Sequence, residues 1–431
     1  MVLTLFGDRL GLDELQFSYQ KECSTTMCTW LVIETVNYFT RNNSDVYGCF
    51  MDMKKAFDTV KHGTLFRKLI DRKLPLVYIR LFIVMYMNQS AQVKWKGSLS
   101  EAFSIVNGVK QGAVISAILF CVYIDDLIKV IRRNKDGCWI NDTFVGVIIY
   151  ADDIALLSPS LDGLQNMIDS CNNYAKKHNL NFSTDVNPQK SKTKCVAFHI
   201  KRKPVRKLKL DNKDLPWVDS VKHLGSTIQN NPDCHMRQDT SEKRAMYIAK
   251  NNELNHEFFY TDPRTKIWLN NVYNSSFYGA PLWNLFDREF EKLEKTWNVS
   301  QRVMLSLPRR THRYFVEPLS CTTHISRSIK KRFVGFIERI RRSKKEPLRC
   351  MLRTIEHDCR STTGGNIRRL EIEASKLNEE KSDLSYVSIP YGSEWKIQFA
   401  KELVDIKAKN LVVQYFTQEE IENIAEYVCC E

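Results

Sequence analysis

"YADDIALLSPS", residues Tyr150 to Ser160, sets two adjacent carboxylates, Asp152 and Asp153, between apolar runs. Before it stands "FVGVIIY" and within it "IALLS", so the stretch reads as strand, tight turn, strand. A buried charge without a partner is expensive. A third acid, Asp52, ends "VYGCFMDM", Val46 to Met53, which reads as another buried strand. An Asp-Asp pair alone also suits a solvated turn; three acids at strand ends suit a hard cation. Mg²⁺ takes one or two protein carboxylates and completes its shell with phosphate oxygens and water. Two such ions about 3.5–4 Å apart can activate an attacking hydroxyl and stabilise the leaving oxygen of an in-line phosphoryl displacement.

Around these strands the chain alternates. "KKAFDTVKHGTLFRKLIDRK" has helical periodicity, with Phe57, Val60, Leu65 and Leu69 near one face. A second helix is expected from about Leu76 to Met87, a hairpin around Gly97-Ser98, a loop at "NGVKQGA", and a buried helix from Val114 to about Lys129. Leu161 to His178 reads as an amphipathic helix and "KCVAFHI" as a strand. From about Cys234 tryptophans, tyrosines and charges recur at helical spacing up to Arg342, with basic clusters such as "RIRRSKK". "STTGG", Ser361 to Gly365, reads as a linker before a lysine- and acid-rich tail.

The 431 residues carry 64 Lys and Arg against 50 Asp and Glu, a net charge of +14 and a pI near 9.1. Such an excess speaks about partners and makes nucleic acid the first candidate, ahead of an acidic membrane surface. Thirteen cysteines are scattered without any Cys-x-x-Cys pair, which suits a reduced, intracellular protein rather than a disulfide or zinc framework. Cys321 and His324 have ligand-like spacing, but no second pair completes it. "MVLTLFGDRLGLDEL" meets charge too early for a secretory signal, and the uncharged run Gly112 to Ile124 is too short to span a bilayer. The expectation is a protein of the nucleus or cytoplasm, neither secreted nor bound in a membrane.

The blocks resemble, in order, those of reverse transcriptases of non-LTR (LINE-type) retrotransposons. "FMDMKKAFDTVKHGTLFRKL" is similar to their first catalytic block, "NGVKQGAVISAILFCVYIDDLI" to the second and "YADDIALLSPS" to the third. "NPQKSKTKCVAF" is similar to the fourth and "VKHLGSTI" to the primer-grip block. "ELQFSYQKECSTTMCTWLVIETVNYF" resembles the fingers segment before them; "FYGAPLWNL" and "RVMLSLPRRTHRYF" resemble the thumb. The resemblance implies an α+β fold, a right-hand polymerase palm with partial fingers (residues 1–232), followed by an all-helical thumb (233–345) and a tail of unassigned role (346–431). The implied reaction is RNA-directed DNA synthesis, with RNA template, DNA primer or RNA–DNA hybrid, and deoxynucleoside triphosphates as partners. Two Mg²⁺, or Mn²⁺, would serve as cofactors.

Site roles follow from the same resemblance. Asp52, Asp152 and Asp153 would hold the metals. Phe57 would be the steric gate against a ribose 2′-OH; by its periodicity it is also a core residue. Gln111 and Gly112 would pack on the incoming nucleotide and template base, glycine allowing close backbone approach. Tyr150 and Ala151 would floor the primer terminus. Lys190 would serve the pyrophosphate leaving group, with Lys192 as its competitor. His223, Leu224 and Gly225 would form the primer-grip turn. "KRKPVRKLK", Lys201 to Lys209, suits a phosphate contact or a solvated hairpin better than a nuclear address.

The sequence also departs from the family. Ala113, Ala117 and Cys121 stand where a small glycine, serine or cysteine, a proline and an asparagine are usual. Ser18 and Glu22 stand where glycine is usual. No stretch before Gln16 resembles the arginine-proline fingers block, and no endonuclease domain is recognised. On that reading the chain is an N-terminally truncated copy, either still a polymerase or a remnant that binds RNA or hybrid without catalysis.

Overall fold

The computed structural model describes residues 10–185, 190–198, 206–231, 235–274, 276–311, 316, 319–320 and 322–382. The chain divides into two compact units: Met1–His235 with Glu338–Ile355, and Met236–Ile337 with Glu356–Glu431. Residues 338–355, which the sequence reading divides between thumb and tail, group with the first unit.

In the first unit, α1 (Thr25–Arg41) begins at Ser24, whose side chain accepts from the Met27 N–H. β1 (Val46–Met51) follows, then α2 (His62–Asp71), α3 (Leu76–Met87) and α4 (Val114–Asn134). β2 (Val147–Tyr150) and β3 (Asp153–Ser158) form a hairpin, then come α5 (Leu161–His178) and β4 (Lys194–Phe198). The sheet is antiparallel in the order β4-β1-β3-β2. β1 is central, and Val46, Cys49, Phe50 and Met51 are buried in it. α4 is buried on all sides from Leu119 to Ile124, and Ser160 caps α5 by accepting from Gly163 N–H. A small hairpin, β5 (Ser220–His223) and β6 (Ser226–Gln229), follows. Lys94–Trp95 pairs with Ser98–Leu99, the hairpin expected around Gly97-Ser98.

The second unit is built from helices including α6 (Arg237–Glu257), α7 (Arg288–Met304) and α8 (Thr362–Ser382). Tyr247, Phe277 and Trp283 form its aromatic centre. The Trp283 indole N–H donates to Asp239 at 2.9 Å, and the Asn366 amide donates to the Trp283 carbonyl at 2.9 Å.

Three local expectations are corrected. "STTGG" is no linker: Ser361 accepts from Gly364 N–H at 2.8 Å and opens α8, with Thr363 and Asn366 buried. The stretch after Asp52 is two pieces, a 3₁₀ turn, Ala56–Thr59, and α2, parted by extended backbone at Val60 (ψ 118°) and Lys61 (ψ 118°). "FVGVIIY" is also divided, Phe144 pairing with Trp139 while β2 begins at Val147. Residues 201–205 of the basic tract, residues 312–315 and 321, and the tail from 383 lie outside the described residues. Among the described residues no helix is long and apolar enough to cross a membrane.

Candidate active site

The β1–β3 register decides where the carboxylates fall. Tyr47 pairs with Ser158 and Met51 with Ile154; one step further along the same register Asp52 lies beside Asp153. The backbone after β1 is pinned, since the Asp52 carbonyl accepts from Ser183 N–H at 2.7 Å and Lys54 N–H donates to Asn181 at 2.8 Å. Asp152 sits in the two-residue turn between Tyr150 and Asp153, which are themselves paired.

These acids feel one another. Burial first, then the charges of Asp152 and Asp52, push Asp153 up to about 6. Burial, with Asp52 adding to it, also raises Asp152, against its own backbone N–H and Lys192. Lys192 Nζ stands 3.6 Å from Asp52 Oδ2. A cleft of about 340 Å³ opens here, lined among others by Asp52, Asp153, Lys190, Lys192, Lys222 and His223. Among the described residues no group of three or more His, Cys, Asp or Glu side chains is placed to hold a metal ion by itself. Mg²⁺ needs none, because it binds through one or two carboxylates and substrate oxygens. An all-oxygen donor set whose members repel one another fits such an ion.

His223 closes β5 and is buried, its ring edge-on to Phe50 at 5.3 Å. Neither ring nitrogen has a hydrogen-bond partner, and burial pushes its pKa down to about 4. Leu224 (φ +46°) and Gly225 (φ +80°) form the turn to β6. Two positive φ values suit a tight primed hairpin turn, and leucine there is strained.

Phe57 lies half-buried on the 3₁₀ turn and stacks on Phe120 of α4, with centroids 5.1 Å apart. Gln111 donates to Asp58 at 3.0 Å and lines a separate hollow of about 530 Å³. Gly112, expected to pack on the incoming nucleotide and template base, borders open space. A Cβ there would meet nothing within 4 Å, and glycine serves its φ of +83°. Within the protein, backbone meets backbone at Gly108, where a Cβ would lie 3.0 Å from the Asp58 carbonyl while Val109 N–H donates to Phe57 O at 2.8 Å.

Sequence reasoning missed the support of the Asp-Asp turn. Ala151 is buried at φ +56°. Its N–H donates to Ser18 Oγ at 2.9 Å and, more weakly, to Gln16 Oε1 at 3.3 Å. Ser18 also meets Cys121 Sγ at 2.9 Å. The available signal was that Ser18 and Cys121 both depart from the family pattern; they do so in contact with each other.

The first unit is thus an α+β protein with carboxylates at the ends of adjacent antiparallel strands, in a lysine-rimmed cleft. Residues 10–228 match the family described as reverse transcriptase (RNA-dependent DNA polymerase), and the chain belongs to that family. It is 23% identical over 308 residues to the probable RNA-directed DNA polymerase from transposon X-element of Drosophila melanogaster, covering 68% of this chain and 32% of that protein. It is 29% identical over 120 residues to a Pol polyprotein from the type-1 retrotransposable element R2 of Nasonia vitripennis, covering 28% of this chain and 12% of that one. The chain therefore spans a third or less of the length of these relatives. Apo telomerase from Candida tropicalis aligns with 81% of this chain and 55% of its own at a TM-score of 0.43 and 13% identity.

Proposed function

We propose that the first unit carries the palm and part of the fingers of a non-LTR retrotransposon polymerase, which extends a DNA 3′ end on an RNA template. The observation that carries this is the β1–β3 register, which sets Asp52 beside Asp153 at the mouth of a cleft rimmed by Lys190, Lys192 and Lys222. Mg²⁺, or Mn²⁺, bound by Asp52, Asp152 and Asp153 would polarise the attacking hydroxyl and stabilise the leaving oxygen. In the reaction the primer 3′ oxygen bonds to the α-phosphorus of a deoxynucleoside triphosphate, loses its proton, and pyrophosphate departs. Lys190 or Lys192 neutralises that pyrophosphate.

The remaining roles are those that the family resemblance implies. Phe57, braced by Phe120, would present its ring to a ribose 2′-OH as a steric gate. Gln111 and Gly112 face nucleotide and template base; Tyr150 and Ala151 form the floor; the His223–Gly225 turn holds the primer strand. The helical second unit fits a thumb, and its exposed Phe259, Tyr260 and Trp268 offer faces on which bases stack. The reading places the protein in the nucleus or cytoplasm, where unpaired cysteines stay reduced.

The test is extension of oligo(dT) on poly(rA) with dTTP and Mg²⁺, comparing the chain with Asp152→Asn. Extension lost in the variant supports the polymerase. Salt-sensitive hybrid binding without extension by either protein replaces it with a catalytically inactive binding remnant. Absence of both overturns the reading.

A further inference from the structure

Lys345 comes from residues 338–355, yet it is buried against the N-terminal loop Glu14–Gln20. Its ammonium donates to the carbonyls of Glu14 (3.0 Å) and Gln16 (2.9 Å) and to Gln20 Oε1 (3.1 Å), and lies 5.0 Å over the Phe17 ring. Three donors thus go to three neutral oxygens of one seven-residue loop. A buried ammonium without a carboxylate partner is costly, and every one of these bonds offsets that cost only while the loop holds this shape.

The same loop supports the carboxylate turn. It adds to the edge of β2, with Phe17 N–H donating to Ile149 O and Ile149 N–H to Leu15 O, both at 2.9 Å. Gln16 Oε1 accepts from Ser18 N–H at 3.2 Å and from its hydroxyl at 2.7 Å. With its proton committed to Gln16, Ser18 Oγ is free to accept from Ala151 N–H, and the Cys121 thiol donates to it in turn. Burial keeps that thiol protonated, its pKa pushed up to about 12. Ala151 needs the support: it is a non-glycine residue at positive φ, directly before Asp152 and Asp153.

We propose that Lys345, Gln16 and Ser18 are positioning residues that fix the Ala151 N–H and thereby the direction of the Asp152 and Asp153 carboxylates. The proposal rests on the reading of those acids as metal ligands. None of the three touches substrate. The loop is set by a lysine more than 320 residues further along the chain, so a polymerase unit ending before Glu338 would lack its strut.

The test uses the full chain with Ser18→Ala, Lys345→Met, Lys345→Arg and Asp152→Asn. Two quantities are read without catalysis: hydrogen exchange at the Ala151 amide, and Mn²⁺ affinity by electron paramagnetic resonance. Ser18→Ala and Lys345→Met are expected to speed Ala151 exchange about five- to tenfold, while β1 amides keep their protection. They are expected to weaken Mn²⁺ binding by a similar factor, with Lys345→Arg restoring part of both. If Lys345→Met does not fold, Ser18→Ala alone decides, since it removes one oxygen. Unchanged Ala151 exchange in folded variants overturns the positioning role. Equal Mn²⁺ affinity in the parent and Asp152→Asn overturns instead the metal reading of the turn, and with it the second half of the proposal.

Discussion

Lys192 Nζ lies 3.6 Å from Asp52 Oδ2, the nearest lysine contact to the acid that ends the central strand. The pair is partly solvated, with Lys192 71% exposed, so it contributes little to stability. Its use is in charge. A cation beside Asp52 opposes a metal ion there and attracts a phosphate. Lys192→Met should therefore tighten Mn²⁺ binding without nucleotide about two- to fivefold and raise the KM for dTTP. Lys190→Met, which removes a lysine that lines the same cleft without pairing with Asp52, should raise the KM and leave Mn²⁺ affinity unchanged. Equal effects of the two variants on the metal would remove the distinction between them.

Asp153 carries a penalty in its ionised state. Its pKa is raised to about 6 by burial and by its neighbours. A folded value above the usual carboxylate range means that the native state holds the proton longer than the unfolded chain. Stability thus falls as pH rises from about 4 to about 6 and stays lower above that. Asp153→Asn should raise the unfolding free energy at pH 7.5 by an amount on the order of 1 kcal/mol after allowance for partial exposure, and the melting temperature with it. It should do nothing at pH 3.5, and extension should fall sharply. A variant no more stable at pH 7.5 than its parent would show that the three acids do not strain one another.

Phe57 is asked to be both gate and core. Its stacking on Phe120 means that Phe57→Ala should cost about 1–2 kcal/mol of stability. It should also raise the ratio of ribonucleotide to deoxynucleotide use about tenfold or more. Loss of stability with an unchanged ratio would leave Phe57 a packing residue only.

What the sequence made legible follows the range of the physics involved. α5 could be bounded at Leu161 and His178 because its apolar period and its Ser160 cap are local. The same holds for β3 and for the acids at the strand ends. "STTGG" misled because serine before two glycines reads equally as linker and as helix cap, and burial of Asn366 decides between them. Gly108 carries no signal of its own in the sequence, and only the fold brings it against the Asp58 backbone. Lys345 stands in the sequence as one member of the basic cluster "RIRRSKK", because its acceptors, two backbone carbonyls and the Gln20 amide oxygen, lie far away along the chain and carry no sequence signal for it.

Glu22, one of the two residues expected to stand in place of glycine, does have a backbone that favours glycine, at φ +64°, whereas Ser18 does not have a positive φ. Its side chain is exposed, so only backbone strain is at issue. Glu22→Gly should stabilise the first unit by about 1 kcal/mol, a rise of roughly 2–4 °C in Tm. Ser18→Gly should do the reverse, since it deletes the Ala151 contact. A Glu22→Gly variant that melts lower would mean that the φ at this position is not strained.

His223 tests the cleft from its other side. Its ring is buried against Phe50, with both nitrogens unbonded and a pKa near 4. A folded value below the usual imidazole range means that the unfolded chain takes the proton first on acidification. Stability from this residue is therefore complete above about pH 6.5 and is lost progressively towards pH 4, by roughly 3 kcal/mol at the end of that window. His223→Phe has no proton to take up, so its melting temperature should fall less steeply between pH 7 and pH 5. At pH 7.5 the variant should be at least as stable as the parent, because two unmade hydrogen bonds disappear with the nitrogens. Primer binding separates the two accounts of the residue. If the nitrogens meet the primer strand, the variant should bind the hybrid several-fold more weakly while melting no lower. Unchanged hybrid affinity would make His223 a packing residue of the hairpin, and the primer contact would fall to the Leu224-Gly225 backbone.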